Sequence, residues 1–213
     1  MLYGVGMKFD VKAFKNMEIA LSEIWPRISA AELKNGRPVE KFGNLLPREI
    51  WANWLLCAAL NSERQPDEQL IFTTNPESMI GDGVIYDQKG KAAWRLEHVY
   101  VRPQSPTEPT TIEALISSAV GDKQQKGYEA YASGKTLLVY VDAGGDRIWH
   151  PNKAAKAIPS NDFLDVWAVS FSGAVTYEWI YGVTLLSAEG VDAPTFQVRI
   201  NKQRPRWSVI RIQ

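Results

Sequence analysis

Between Val11 and Trp25 the apolar residues fall at positions 14, 17, 21 and 24, a helical spacing that Pro26 is expected to end. A second helix is predicted from Pro47, since proline suits a first helical position. In "LPREIWANWLLCAALNS", Ile50, Trp54, Cys57 and Leu60 form a stripe, and Asn61, Ser62 and the polar run beyond them stop the helix. Three β-type runs follow: "QLIFTT" (69–74), "DGVIYD" (82–87) and "AAWRLEHVYV" (92–101). With "DQKGKA" as the turn between the last two, they read as a meander. Thr110 and Glu113 fit a capping box, and Ile112, Leu115, Ile116, Ala119 and Val120 keep helical spacing toward Tyr128.

"KTLLVYVDA" (135–143) is the unbroken apolar run of a strand buried on both faces. "GGDRIWHPNKAAKAIP" suggests a loop and a short helix. Four further strands are then expected: "VWAVSF" (166–171), "TYEWIYGVTLL" (176–186), "FQVRI" (196–200) and "WSVIRI" (207–212), the last two separated by "NKQRPR". No repeat, low-complexity tract or linker interrupts the chain. The expectation is one α+β or mixed α/β domain over residues 1–213, with an additional β layer formed by 144–213.

Composition narrows the partners. Of the 213 residues, 45% are hydrophobic, enough to fill a core. Twenty-four Lys+Arg balance twenty-four Asp+Glu, so no global field draws in nucleic acid or anionic membrane, and an anionic partner needs a local patch. The lone Cys57 excludes an intrachain disulfide and favours a reducing cytoplasm. The N-terminal "MLYGVGMKFD" has no basic segment followed by an apolar run, and no window approaches eighteen uncharged apolar residues, so neither secretion nor membrane insertion is expected. A homo-oligomer is compatible with all of this.

The segment "GDGVIYDQKGKAAWRLEHVYV" carries the candidate chemistry. A four-residue turn centred between Lys89 and Gly90 pairs Asp82 with Glu97, and like charges directly opposite destabilise a sheet. Alternation puts Arg95, Glu97, Val99 and Val101 on one face and Trp94, Leu96, His98 and Tyr100 on the other. Two readings relieve the repulsion. Arg95 pairs with one of the carboxylates, or the two together bind Mg²⁺ or Mn²⁺, water and a substrate phosphate filling the other positions.

The order helix, three strands, helix, strand, with an Asp opening the second strand and a Glu inside the third, resembles the PD-(D/E)xK nuclease superfamily, the restriction-endonuclease-like fold, over about residues 44–143. The resemblance implies that Asp82 and Glu97 ligate a divalent metal, that the His98 backbone carbonyl assists, and that the partner is nucleic acid, DNA ahead of RNA. A lysine belongs two residues beyond the Glu, where this chain has Val99, and Ile80-Gly81 stand where a proline is usual. The helical face through 112, 116, 119, 123 and 126 brings Lys123 and Lys126 toward the sheet as replacements, although a solvated helix end also explains them. Gln124 and Tyr128 are similar to the QxxxY element of exonuclease-like branches. Glu49 is a third acidic candidate, equally explained by the helix dipole.

Outside that core, "PTFQVRINKQRPRWSVIRIQ" has no acidic residue, and Lys202, Arg204 and Arg206 form the best phosphate-facing patch, or else a solvated hairpin. "ASGKT" lacks the first glycine of a phosphate-binding loop, and neither HExxH nor GxSxG occurs. Three functions stand open: a metal-dependent nuclease, a catalytically degenerate nucleic-acid-binding or regulatory protein of the same fold, and an interaction domain with a metal-free ion network.

Overall fold

The computed structural model describes residues 14–28, 47–73, 82–102, 110–126, 131–142, 148–187 and 192–213. These contain helices α1 (Met17–Ile28), α2 (Pro47–Asn61), α3 (Ile112–Gln125) and α4 (Pro151–Ala157). Their strands are β1 (Phe14–Lys15), β2 (Leu70–Thr73), β3 (Gly83–Asp87), β4 (Ala92–Val101), β5 (Lys135–Val141), β6 (Asp165–Val175), β7 (Glu178–Leu185), β8 (Thr195–Asn201) and β9 (Trp207–Arg211). All nine join one sheet in sequence order. Neighbours are antiparallel except across β4, β5 and β6, which run parallel.

The two parallel pairings follow from the helices that interrupt the chain. A crossover over one face is needed to start the next strand in the same direction, and α3 and α4 provide it between β4 and β5 and between β5 and β6. They cover one face of the sheet through Ile112, Ile116, Val120 and Ala154, packed on Val101, Leu137, Val139, Val141, Val166 and Ala168. The other face belongs to α1 and α2. Strand β5 is accordingly buried on both faces from Thr136 to Val141, as its apolar run predicts.

The expected additional β layer is absent from this arrangement. Strands β6 to β9 extend the edge of the same sheet, because β6 pairs directly with β5. The sheet also curls. Helix α2 packs against β2 and β3 and also against β7 and β8. In a flat sheet β2 and β8, six spacings apart, would be separated by roughly 29 Å. Contact with one helix therefore requires the sheet to wrap around it. Trp51 and Trp54 of α2 stack at 5.1 Å, Trp51 meets Tyr181 of β7 edge-on at 5.4 Å, and Trp54 meets Trp207 of β9 at 5.2 Å.

This enclosure corrects the expected single stripe on α2. Every residue from Ile50 to Ala59 is buried, including Asn53, as befits a helix that is hydrophobic nearly all round. Two helix starts also move. Helix α1 begins at Met17, where Asn16 Oδ1 accepts the Ile19 N–H at 2.8 Å, and it continues through Pro26 to Ile28. Phe14 and Lys15, predicted helical, instead pair with Thr73 and Phe72. The cap of α3 is Thr111, whose hydroxyl accepts from the Ala114 N–H at 3.2 Å, leaving Glu113 to accept the His150 N–H at 2.7 Å. Among the described residues no helix is long and apolar enough to cross a membrane.

Trp54 is fully buried and its indole donates to the Met17 carbonyl at 3.0 Å, tying α1 to α2. Trp54→Ala removes both the ring and this hydrogen bond. It is expected to cost about 3–5 kcal/mol of unfolding free energy in a urea titration; a loss below about 1 kcal/mol would contradict the placement of α2 at the centre of the core.

Candidate functional site

The β3–β4 hairpin sets the site's geometry from its turn. Asp87 accepts the backbone N–H groups of Lys89 and Gly90 at 3.0 and 2.8 Å, and Lys91 takes a positive φ of 50°. The register fixed there runs from Asp87↔Ala92 to Gly83↔Leu96, so that Asp82 comes next, level with Glu97. The expected register holds as far as Gly83↔Leu96. Asp82 closes the ladder irregularly: its N–H donates to the Leu96 carbonyl at 2.8 Å and its carboxylate accepts the His98 N–H at 2.9 Å.

Glu97 is 6% exposed and carries two cations. Lys135 Nζ lies 2.7 Å from Oε1 and Lys123 Nζ 3.2 Å from Oε2. The Tyr131 hydroxyl donates to Oε2 as well. Lys123 has a second acceptor, the His98 carbonyl at 2.8 Å. Both ammonium groups border the Tyr131 ring, Lys135 at 4.2 Å and Lys123 at 5.6 Å from its centroid. The side chains reach one point because α3 crosses over this face and because the parallel register sets Lys135 opposite Arg95, two residues before Glu97.

The two carboxyls respond in opposite directions. Burial pushes Asp82 up; the His98 N–H and the lysines oppose this, but with Glu97's charge added, the carboxyl stays above its usual range. Burial also pushes Glu97 up, yet the hydrogen bonds from Lys135 and Tyr131 and the charges of Lys123 and Lys135 outweigh it and hold the group below its usual range. Glu97 is thus the stably ionised member and Asp82 the reluctant one.

Beneath the sheet a neutral relay supports the same strands. His98 points toward α2, where its Nε2 lies 2.8 Å from Asn53 Oδ1, while Asn53 Nδ2 donates to the Asp82 carbonyl at 3.2 Å. An added Cβ at position 83 would lie 2.2 Å from Asn53 Nδ2, so a larger residue there displaces the Asn53 amide from its hydrogen bonds. Burial, aided by the charges of Arg48 and Lys123, depresses His98 to about 3. Its ring is therefore neutral at pH 7.

Other predicted residues lie elsewhere. Lys126 is exposed at the C-cap of α3, its N–H on the Lys123 carbonyl, so the structure brings Lys123 to Glu97 and leaves Lys126 in solvent. Gln124 clamps the loop after α4 by donating to the Asp162 carboxylate and accepting the Asp162 N–H at 3.1 Å. Tyr128 lies outside the described residues. Glu49 is 3.8 Å from Arg48 in the first turn of α2. Arg204 and Arg206 are exposed on the β8–β9 turn, and Lys202 donates to the Val175 carbonyl. That turn is at the far end of β6 from Val166, which lies in the row of Glu97 and Leu137. Nine residue steps along the strand, roughly 30 Å, separate Val166 from Val175.

Tyr131, Lys135 and Asn53 are the contributors that pattern reasoning missed. Lys135 heads the apolar run of β5, a place where a charge marks a strand end, and nothing in its spacing points to Glu97. Among the described residues no cluster of three or more His, Cys, Asp and Glu side chains is placed to hold a metal ion. The oxygen donors at hand are the two carboxylates and the His98 carbonyl. No family model, curated protein or solved structure matches this chain significantly.

Two titrations check these assignments. An unfolded histidine takes up its proton near 6.5, whereas folded His98 resists until about 3, so stability falls with pH across that window. Relative to His98→Gln, the wild type is expected to lose about 1.4 kcal/mol per pH unit below 6.5, measured by urea unfolding. Equal slopes would place His98 in solvent. Asp82 works the other way: its raised folded value means that its contribution is complete below pH 3.8 and is lost as the pH rises through the folded value. In EDTA at pH 8, Asp82→Asn is therefore expected to melt at or above the wild-type temperature, and a lower melting temperature would make ionised Asp82 a stabilising ion-pair partner.

Proposed function

We propose that the chain is a divalent-metal-dependent phosphodiesterase acting on nucleic acid, DNA ahead of RNA, with a PD-(D/E)xK nuclease-like core in which Lys123 replaces the lysine missing at position 99. The observation that carries this reading is the Lys123 ammonium, which comes from the crossover helix to within 3.2 Å of Glu97 and 2.8 Å of the His98 carbonyl, beside Asp82. The element order α2, β2 to β4, α3 and β5 supports this reading, since the resemblance rests on a helix, three strands, a helix and a strand in that order.

The donors fit a hard cation. Asp82, Glu97 and the His98 carbonyl offer oxygens alone, which suits Mg²⁺ or Mn²⁺ with water and a substrate phosphate completing the sphere. Bound there, the ion supplies a Lewis acid and a more acidic water. Burial and, after it, the charge of Glu97 raise Asp82, and a cation bound there favours the ionised carboxylate against both. The chain's own groups then have distinct tasks. Glu97 stays ionised, Tyr131 and Lys135 hold its orientation, and Lys123 brings a positive charge and a proton donor to the place where negative charge builds up on the phosphoryl oxygens. Asn53 fixes the backbone from which Asp82 extends.

One observation favours a second reading. Two carboxylates already face two ammonium groups, so the cluster is balanced without a metal. A degenerate nucleic-acid-binding protein or a purely structural ion network accounts for that balance.

Cleavage of DNA and RNA panels in Mn²⁺ and in EDTA separates the two. The nuclease reading predicts EDTA-sensitive hydrolysis that falls by about 100-fold or more in both Asp82→Asn and Lys123→Met. Mn²⁺ binding without any cleavage would support the degenerate reading, and absence of both would leave the ion network.

A further inference from the structure

Lys123 occupies a position that the metal reading assigns elsewhere. Its ammonium spans Glu97 Oε2 and the His98 carbonyl, two of the three protein oxygens named as ligands. An ammonium at hydrogen-bond distance from both oxygens fills the space between them. Its flexible four-carbon stem lets it leave without moving the helix. At Lys135 the geometry differs: Nζ meets the other oxygen, Oε1, at 2.7 Å and sits over the Tyr131 ring at 4.2 Å.

We propose that Lys123 is a built-in occupant of the divalent-cation position, held on Glu97 and the His98 carbonyl until metal binding displaces it toward the substrate. This inference rests on the metal reading above and adds an order of events to it. In the resting cluster the charges cancel, so a divalent cation adds two uncompensated positive charges. A phosphodiester anion offsets one of them and gives the released ammonium a new partner. Metal and substrate phosphate therefore bind cooperatively, and free Lys123 appears only when both are present or when metal is in excess.

The test is Mn²⁺ calorimetry at pH 8 on the full chain and on Lys123→Met, Lys123→Gln, Lys135→Met and Asp82→Asn. The glutamine variant keeps a donor for the His98 carbonyl and guards against misfolding of the methionine variant. Both Lys123 variants are expected to bind Mn²⁺ about tenfold or more tightly than wild type, since a like charge leaves the ion's own position; Lys135→Met should gain less, and Asp82→Asn should bind most weakly.

Equal gains in the Lys123 and Lys135 variants would reduce the effect to net charge and overturn the occupancy. Wild-type binding that is unchanged or weakened by Lys123→Met would overturn it while leaving the metal site intact. No binding by any variant would remove both the occupancy and the metal reading. As an independent readout, excess Mn²⁺ should raise acylation of wild-type Lys123 by an N-hydroxysuccinimide ester, read by mass spectrometry, and unchanged labelling would overturn the displacement.

Discussion

A carboxylate buried inside a sheet strand is tolerable only with cations and donors upon it, and Glu97 has Lys123 of α3, Lys135 of β5 and Tyr131, which lies between them in sequence. Breaking such a buried pair costs about 3–5 kcal/mol when one partner is removed. The requirement reaches well beyond one residue. It ties the crossover helix to the third strand of the meander, and it joins the parallel half of the sheet to the antiparallel half through buried charge.

The alternation of β4 divides polar work between the layers. Glu97 faces α3 and its charges; His98, one residue on, faces α2 and stays neutral against Asn53. Asp82 draws on both. Its carboxylate is held by the His98 N–H and its carbonyl by the Asn53 amide. A helix wrapped by the curled sheet thereby fixes the backbone on which the charged cluster of the opposite face is built. Rigid support beneath and a flexible lysine above is the combination a displaceable cation requires.

Local rules made the hairpin readable. The Asp87 turn fixed its register, and a period of two then assigned every face of β3 and β4, including the opposition of Asp82 and Glu97. Helical spacing narrowed the cation to Lys123 or Lys126, and only the end of α3 at Gln125 decides between them. Partners set by parallel pairing were not legible: Lys135 meets Glu97 through a register between strands joined by a long crossover, which no short-range pattern encodes. The same holds for β6 to β9. Their alternation marks strands, but whether they stack as a layer or extend an edge depends on which hydrogen-bonding edge is free. It also depends on α2, whose nearly all-round burial is the visible sign of the curl.

Anomalous diffraction from crystals soaked in Mn²⁺ would locate the ion and the Lys123 side chain together. A peak shared by the Asp82 and Glu97 carboxylates and the His98 carbonyl is expected, with the Lys123 side chain moved off that carbonyl. Lys123 remaining on His98 with no peak beside the two carboxylates, at Mn²⁺ concentrations that saturate surface sites, would contradict it.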